Sequence, residues 1–251
     1  MIKNNETGRT NSYEFLLDIH THTIVSGHAY GTIREMAQAA GDKNLKLLGF
    51  AEHGPGIPGT CDPIYFTNLK MVPRVLYGVE IVRGCEANVL NDGTIFMDQR
   101  YLDCLDYAIV GIHRLCYEDA GIRQNTKNLI SCMENKKVFF VSHPDDDHTP
   151  LDYEELVPAA RDCHVALELN NSSLLKTDQR LNCIQNYKRM LSLCQDLQVP
   201  IIVNSDAHDP SYVGRFDEAI DFLKEIDFDS RLILNTSVDK FKSFIGMNKA
   251  N

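Results

Sequence analysis

Seven short apolar runs punctuate the chain, at residues 15–17, 45–51, 79–85, 107–112, 138–141, 165–169 and 200–203. They carry little polar alternation, as expected for strands covered on both faces. Helical patterning fills the gaps between them. In 33–43, Ile33, Met36, Ala37 and Ala40 recur at helical spacing behind a capping residue at or near Thr32. Helices are likewise predicted over 125–135, over 152–162 despite Pro158, over 178–198, and near 216–224 and 238–245, with a short one between Pro63 and Pro73. Alternating strands and helices predict βα units around a parallel sheet. A polar leader, 1–14, is expected to be unordered. Residues 15–251 contain no linker, charge block or composition shift, and predict one domain.

The residues just past each run carry the chemistry. The first run leads into Asp18-Ile-His-Thr-His22; the next four end at Glu52-His53, Glu86-Ala-Asn88, His113 and Ser142-His143-Pro144. The sixth ends at Asn170-Asn171-Ser172-Ser173 and the seventh at Asn204-Ser205-Asp206-Ala-His208. These positions are the carboxyl ends of the strands, the face that bears the active site in a parallel barrel. An open doubly wound sheet would feed its site from only a few strands at one switch point. Ligand types at the ends of nearly all the runs therefore predict closure. Within the first strand, strict alternation puts Asp18, His20 and His22 on one face.

Of nine histidines, His20, His22, His28, His53, His113, His143 and His208 lie at or just beyond strand ends. The exceptions are His148 and His164; His164 precedes its strand, at the opposite end, and is expected to be structural. Neutral imidazole is the commonest ligand for zinc-like metals. Adding Glu86 and Asp206 gives nine candidate ligands, too many for one tetrahedral ion and enough for two or three, with Glu86 free to bridge.

The formal net charge of −10 argues against a general nucleic-acid or anionic-membrane binder. The leader lacks the apolar core of a signal peptide, and no apolar run is long enough to span a bilayer. Eight cysteines without a C-x-x-C pair read as reduced thiols of a cytoplasmic protein.

Taken in order, Asp18-Ile-His-Thr-His22, His28, Glu52-His53-Gly54, Gly84-Cys-Glu86-Ala-Asn88, Gly111-Ile-His113, Ser142-His143-Pro144 and Ser205-Asp206-Ala-His208 resemble the PHP (polymerase and histidinol phosphatase) family. The likeness spans residues 14–245 and is nearest to the stand-alone bacterial phosphatases with three metal ions. It implies a distorted seven-stranded (β/α)7 TIM-like barrel. His20, His22, Glu86 and Asp206 would hold one metal; Glu86, His113 and His143 a second; His28, His53 and His208 a third. Asp18 would orient a histidine from behind. Zinc is the first choice by resemblance, with manganese or iron compatible with the imidazole and carboxylate donors.

Such a site suits hydrolysis of a small phosphorylated metabolite. Three divalent ions less two carboxylates leave roughly +4, which draws in a phosphate dianion. A hydroxide bridging two ions would attack phosphorus. Arg74, Arg114 and Lys176 are candidates to grip phosphate, Arg114 being best placed beside His113. Asn88, Asn170 and Ser205 are candidates to position substrate or ligands. Two features depart from the family pattern: Asp145-Asp146-Asp147 stands where a glycine usually comes after Ser-His-Pro, and Asn204 where a small residue is usual. Three acids there would repel an anion, bind a further cation, accept a basic substrate group, or form a solvated loop. The competing readings are an amidohydrolase, a PHP nuclease and a metal-binding protein without turnover. Oligomeric state is not readable from the sequence.

Overall fold

The computed structural model describes residues 13–247; most of the leader lies outside them. Its last part is tied down, Tyr13 Oη donating to the Phe228 carbonyl at 2.8 Å. Eight strands form one sheet: β1 (Leu17–Thr21), β2 (Leu47–His53), β3 (Val75–Leu76), β4 (Val79–Asn88), β5 (Ala108–Gly111), β6 (Val138–Val141), β7 (Ala166–Asn170) and β8 (Ile201–Asn204). Seven run parallel in the order β1-β2-β4-β5-β6-β7-β8. Helices lie between them, in a nearly closed barrel. The antiparallel hairpin of β3 on β4 was not expected from the sequence. Its two-residue turn is Tyr77-Gly78, both at positive φ (50° and 79°), the conformation that matches strand twist in tight hairpins.

Closure between β1 and β8 rests largely on side-chain amides. Backbone contact there is a single bridge, Thr21 to Ala207. Below it, Ile19 N–H donates to Asn204 Oδ1 at 3.0 Å. Asn235, from the segment after β8, receives Val203 N–H at 2.7 Å and donates to the carbonyls of Leu17 and Val203 at 2.9 and 2.6 Å. These amides satisfy backbone groups that would otherwise be buried edges.

Inside the barrel, Leu17, Ile19, Leu47, Val82, Tyr107, Ile109 and Phe140 pack with Phe241 of the terminal helix Val238–Phe244. The rings of Phe140 and Phe241 stack with centroids 5.9 Å apart. Tyr107 crosses the axis and donates to the Ile19 carbonyl at 2.6 Å. It fits because β2 and β4 present glycines to it. A Cβ at Gly49 would lie 2.2 Å from its hydroxyl, and one at Gly84 2.3 Å from its ring. The second core cluster fills the space between the strands' outer faces and the helices.

Helices form where periodicity predicts them, with shifted ends. Ile33–Asp42 opens with a reciprocal capping box of Thr32 and Glu35. The helix predicted over 178–198 is shorter, Cys183–Leu197, because 176–182 makes turns after the short helix Asn171–Leu175. Among the described residues, no helix is long and apolar enough to cross a membrane. All eight cysteines are free thiols.

Candidate metal centre

A register shift in β1 decides which side chains enter the site. Leu17 pairs with Leu47 and Asp18 with Leu48, but Thr21 pairs with Phe50, so three steps on β1 match two on β2. One extra residue reverses the alternation. Leu17 and Ile19 therefore face inward, and so do His20 and His22. Asp18, opposite the outward Leu48, does not share their face as strict alternation predicted. Its carboxylate accepts from Ser205 N–H and Oγ–H and from Gly214 N–H, joining β1 to the loop after β8. Burial pushes the Asp18 carboxyl up to about 6, against those hydrogen bonds. The role expected of Asp18, behind a histidine, is thereby corrected: Glu168 occupies that place.

Glu168 projects from the middle of β7 and is fully buried. Its Oε1 accepts from His20 Nδ1 at 2.7 Å and Asn204 Nδ2 at 2.8 Å; its Oε2 accepts from His143 N–H at 2.7 Å and Asn170 Nδ2 at 3.0 Å. With Nδ1 donating to Glu168, His20 presents its Nε2 lone pair to the barrel axis. A parallel chain serves His22. Ser26 Oγ donates to Glu52 at 2.6 Å and receives His53 N–H at 3.0 Å, leaving it to accept from His22 Nδ1 at 3.1 Å. Sequence patterning does not single out Glu168 or Ser26 as site residues, and marks Glu52 only as the neighbour of His53 at a strand end. The signal for Glu168 was present as a lone carboxylate inside the apolar run Ala166-Leu167-Glu168-Leu169, where an unpartnered charge is costly.

The convergence is tight. His20 Nε2 and His22 Nε2 lie 3.3 and 3.6 Å from Glu86 Oε2, and 3.6 and 3.3 Å from Asp206 Oδ1. Donors about 2.0–2.1 Å from a tetrahedral zinc ion are roughly 3.3–3.4 Å from each other, a separation that these four imidazole-to-carboxylate distances match. The other Glu86 oxygen lies 3.2 Å from His113 Nε2 and 2.9 Å from His143 Nε2. His28 Nε2 lies 3.1 Å from His208 Nε2, and the His53 ring stacks on His28 with centroids 4.9 Å apart. His53 Nδ1 is also 2.9 Å from Glu86 Oε2, so it sits between the first and third groups. Ligand atoms cluster within 4.8 Å as His20-His22-Asp206, His22-His53-His208 and His53-Glu86-His113. The structure thus brings all nine sequence-named candidates together.

Hydrogen bonding within the protein leaves this cluster short of partners. His20 Nε2, His22 Nε2, His53 Nδ1, His113 Nδ1 and Glu86 Oε2 are buried with none. Polar atoms buried this way are costly unless something else pairs them. Divalent cations fit the donor set. The electrostatics agree. Burial would raise Glu86, but His20, His113 and His53 hold it well below the usual carboxylate range, and histidines do the same for Asp206. Burial works to lower His20, yet Glu168, Glu86 and Asp206 hold it well above the ordinary imidazole value. Burial and the neighbouring His53 push His22 well down. Two of the candidate ligands occupy the left-handed backbone region, His143 at φ 31° and Asp206 at φ 52°, as residues held by a functional constraint do.

The PHP domain family matches residues 18–226, a range that contains all nine candidate ligands. The chain belongs to the PHP family. A probable phosphatase of Acetivibrio thermocellus is 37% identical over 237 residues, covering 94% of this chain and 97% of that one. One of Caldanaerobacter subterraneus subsp. tengcongensis is 40% identical over 232 residues, covering 92% and 91%. Among solved structures, the histidinol phosphate phosphatase of Lactococcus lactis, complexed with zinc, L-histidinol and phosphate, superposes with a TM-score of 0.59. It is 17% identical, covering 84% of this chain and 94% of its own, a likeness of fold.

The remaining candidates separate. Arg114 lines a cavity of about 240 Å³ that His28, His53, His113 and His143 also line. Arg74 does not reach it: its guanidinium binds Asp106, just ahead of β5, at the other end of the barrel. Lys176 is exposed and outside that cavity. Asn88 Nδ2 donates to the Pro55 carbonyl and supports a loop, whereas Asn170, whose Oδ1 caps Ser173, donates its amide to Asp206 Oδ2 at 3.2 Å and so helps to position a candidate ligand. The three acids do not form a solvated loop. Asp145 is buried against Ser173 and Tyr187, Asp146 receives Leu181 N–H together with the backbone N–H and Nδ1 of His148, and Asp147 receives Asn182 and Asn186. His164, as expected, is structural, with Nε2 3.0 Å from the Phe244 carbonyl and its ring stacked on Phe244.

Proposed function

We propose that this PHP protein is a metal-dependent phosphomonoesterase acting on a small phosphorylated metabolite in the cytoplasm. The observation that carries the reading is the set of nine converging ligands, with buried unpartnered donor atoms, opening onto a cavity of about 240 Å³. Relatives named probable phosphatases that align with nearly the whole chain support it. His20, His22, Glu86 and Asp206 would hold one ion, His113 and His143 a second with Glu86 between them, and His28, His53 and His208 a third. Zinc is the first choice. When bound, such ions supply an activated water at neutral pH and compensate charge on phosphate oxygens.

The chain's own part is pre-organisation. Glu168 fixes the tautomer of His20, and the Glu52–Ser26 pair fixes that of His22, so both Nε2 lone pairs are aimed before any ion arrives. Glu86, set in the middle of five imidazoles, is kept ionised and can serve two ions at once. The cavity's size suits a compact leaving group rather than a polymer. An amidohydrolase with paired metals would place a bridging lysine at a middle strand end; here Glu86 and His113 stand there.

The test is direct. Protein stripped with chelator should lose hydrolysis of p-nitrophenyl phosphate and regain it with zinc or manganese. His20→Ala should lower kcat/KM by about 10³-fold. Metal uptake without turnover of any phosphomonoester would favour the non-catalytic reading, and a folded protein that takes up no ion would end both.

A further inference from the structure

The Asp145-Asp146-Asp147 triplet has no part in the ligand set, yet it comes almost directly after His143 and two of its members line the cavity beside the metal centre. A phosphate would be repelled by carboxylates free to face it. Each of the three is engaged by the protein, Asp145 through its Oδ1 alone, its Oδ2 being buried with no hydrogen-bond partner. All three bind the segment 173–187, and the effect is to bring Arg180 into the cavity wall.

Arg180 is suited to an anion in three ways. Its side chain is 22% exposed, so it reaches solvent only through a narrow opening. Among the described residues its one carboxylate contact is Nη1 to Asp145 Oδ1 at 3.4 Å, a long bond that leaves most of the guanidinium's donors available. That same oxygen is shared with Ser173 Oγ at 3.1 Å and Tyr187 Oη at 3.2 Å, which fix its position. Asp145 is therefore a buried anchor, and Arg180 a cation pointed by it. Arg180 is also close enough to the site for Asp206 to act on it electrostatically. Arg114, beside His113, lines the same cavity but is exposed and has no hydrogen bond or ion pair among the described residues. An unanchored surface arginine loses more side-chain entropy on gripping a ligand than one already held.

We propose that Arg180, positioned by the buried Asp145, is the side chain that grips the substrate's phosphate in the cavity beside the metal centre. The proposal rests on the phosphatase reading above. It makes the acid triplet a positioning device: Asp145 sets the guanidinium, while Asp146 and Asp147 hold the turn that carries it.

The experiment uses the metal-loaded full chain and inorganic phosphate as the probe. Phosphate affinity is measured by calorimetry, and inhibition by phosphate together with KM and kcat for p-nitrophenyl phosphate by kinetics. Arg180→Met is expected to weaken phosphate binding and raise KM by about 10- to 100-fold, with metal content unchanged and Arg180→Lys recovering part of the loss. Asp145→Asn, which keeps an oxygen for Ser173 and Tyr187, should raise KM by a smaller factor of about 3–10 and leave kcat near wild type. Lys176→Ala, outside the cavity, is the control. Unchanged phosphate affinity in Arg180→Met, or a larger loss in Arg114→Met than in Arg180→Met, overturns the assignment. Failure of the phosphatase reading looks different: wild-type protein with its metals in place would then show no turnover of any phosphomonoester.

Discussion

The barrel interior has two layers built from the same strands, and they obey opposite rules. In the lower layer Leu47, Val82, Tyr107 and Phe140 meet Phe241 in close apolar packing. A few residues further along, β2, β4 and the end of β5 present His53, Glu86 and His113, each with a buried atom that no protein group satisfies. A single residue of strand, Cys85, separates Gly84, against Tyr107, from Glu86. The lower layer is stabilised by filling space. The upper layer is costly in the bare protein, and the support behind it together with the proposed cations would offset that cost. Fold stability and chemistry are thus divided along the barrel axis, as parallel barrels allow.

Breaking the upper layer should have the largest effect. Glu86→Ala removes the group that faces five imidazoles, so hydrolysis should fall by about 10³-fold or more, and bound metal should drop by at least one ion per chain. Elemental analysis and steady-state kinetics check both. The layer beneath is untouched, so near-UV circular dichroism from Tyr107 should persist. If activity survives in Glu86→Ala, the bridging role is wrong and the division of layers loses its functional half.

Breaking the lower layer should do the reverse. Phe241→Ala opens a cavity against Phe140 and Tyr107 and should cost about 3–5 kcal/mol by denaturant unfolding. In protein still folded at low temperature, metal content should match wild type and kcat/KM should stay within about threefold. Loss of metal uptake by the folded variant would show that the layers are coupled through Tyr107 rather than separate.

Legibility in the sequence divides along the same axis. Ligand types at strand ends disclosed the upper layer, because histidine and acid after an apolar run have few structural uses. Asp18 was misplaced because alternation assumes an unbroken register, and the extra residue in β1 is a property of pairing with β2, invisible along β1 alone. The amides of Asn204 and Asn235 at the seam were opaque for a similar reason: their partners lie on backbone far away in the chain. Arg180 escaped notice because it lies 37 residues after His143 in a stretch whose periodicity reads as helix but forms turns. Departures from the family pattern proved informative, since Asp145 contacts Arg180 in the cavity wall and Asn204 donates to Glu168 behind His20.

The smallest effect should come from the support between the layers, and it is the sharpest test of the scheme. Glu168 accepts four hydrogen bonds, two on each oxygen, from His20, Asn204, His143 and Asn170. Glu168→Gln preserves size and shape but turns one acceptor oxygen into a donor, so two of those four donors would face an amide N–H₂. His20 would then be free to rotate or change tautomer, or the backbone N–H of His143 would lose its fixed partner. Metal affinity should fall by about 10- to 100-fold, measured by competition with a chromogenic chelator. Saturating metal should recover most of the turnover, because Glu168 touches no ligand-facing atom of His20. Recovery at high metal identifies a group that aims the ligands; loss of turnover that metal cannot restore would move Glu168 into the reaction itself. An unchanged affinity would mean that His20 is held by packing alone, and that the support behind the upper layer is not what makes its buried imidazoles tolerable.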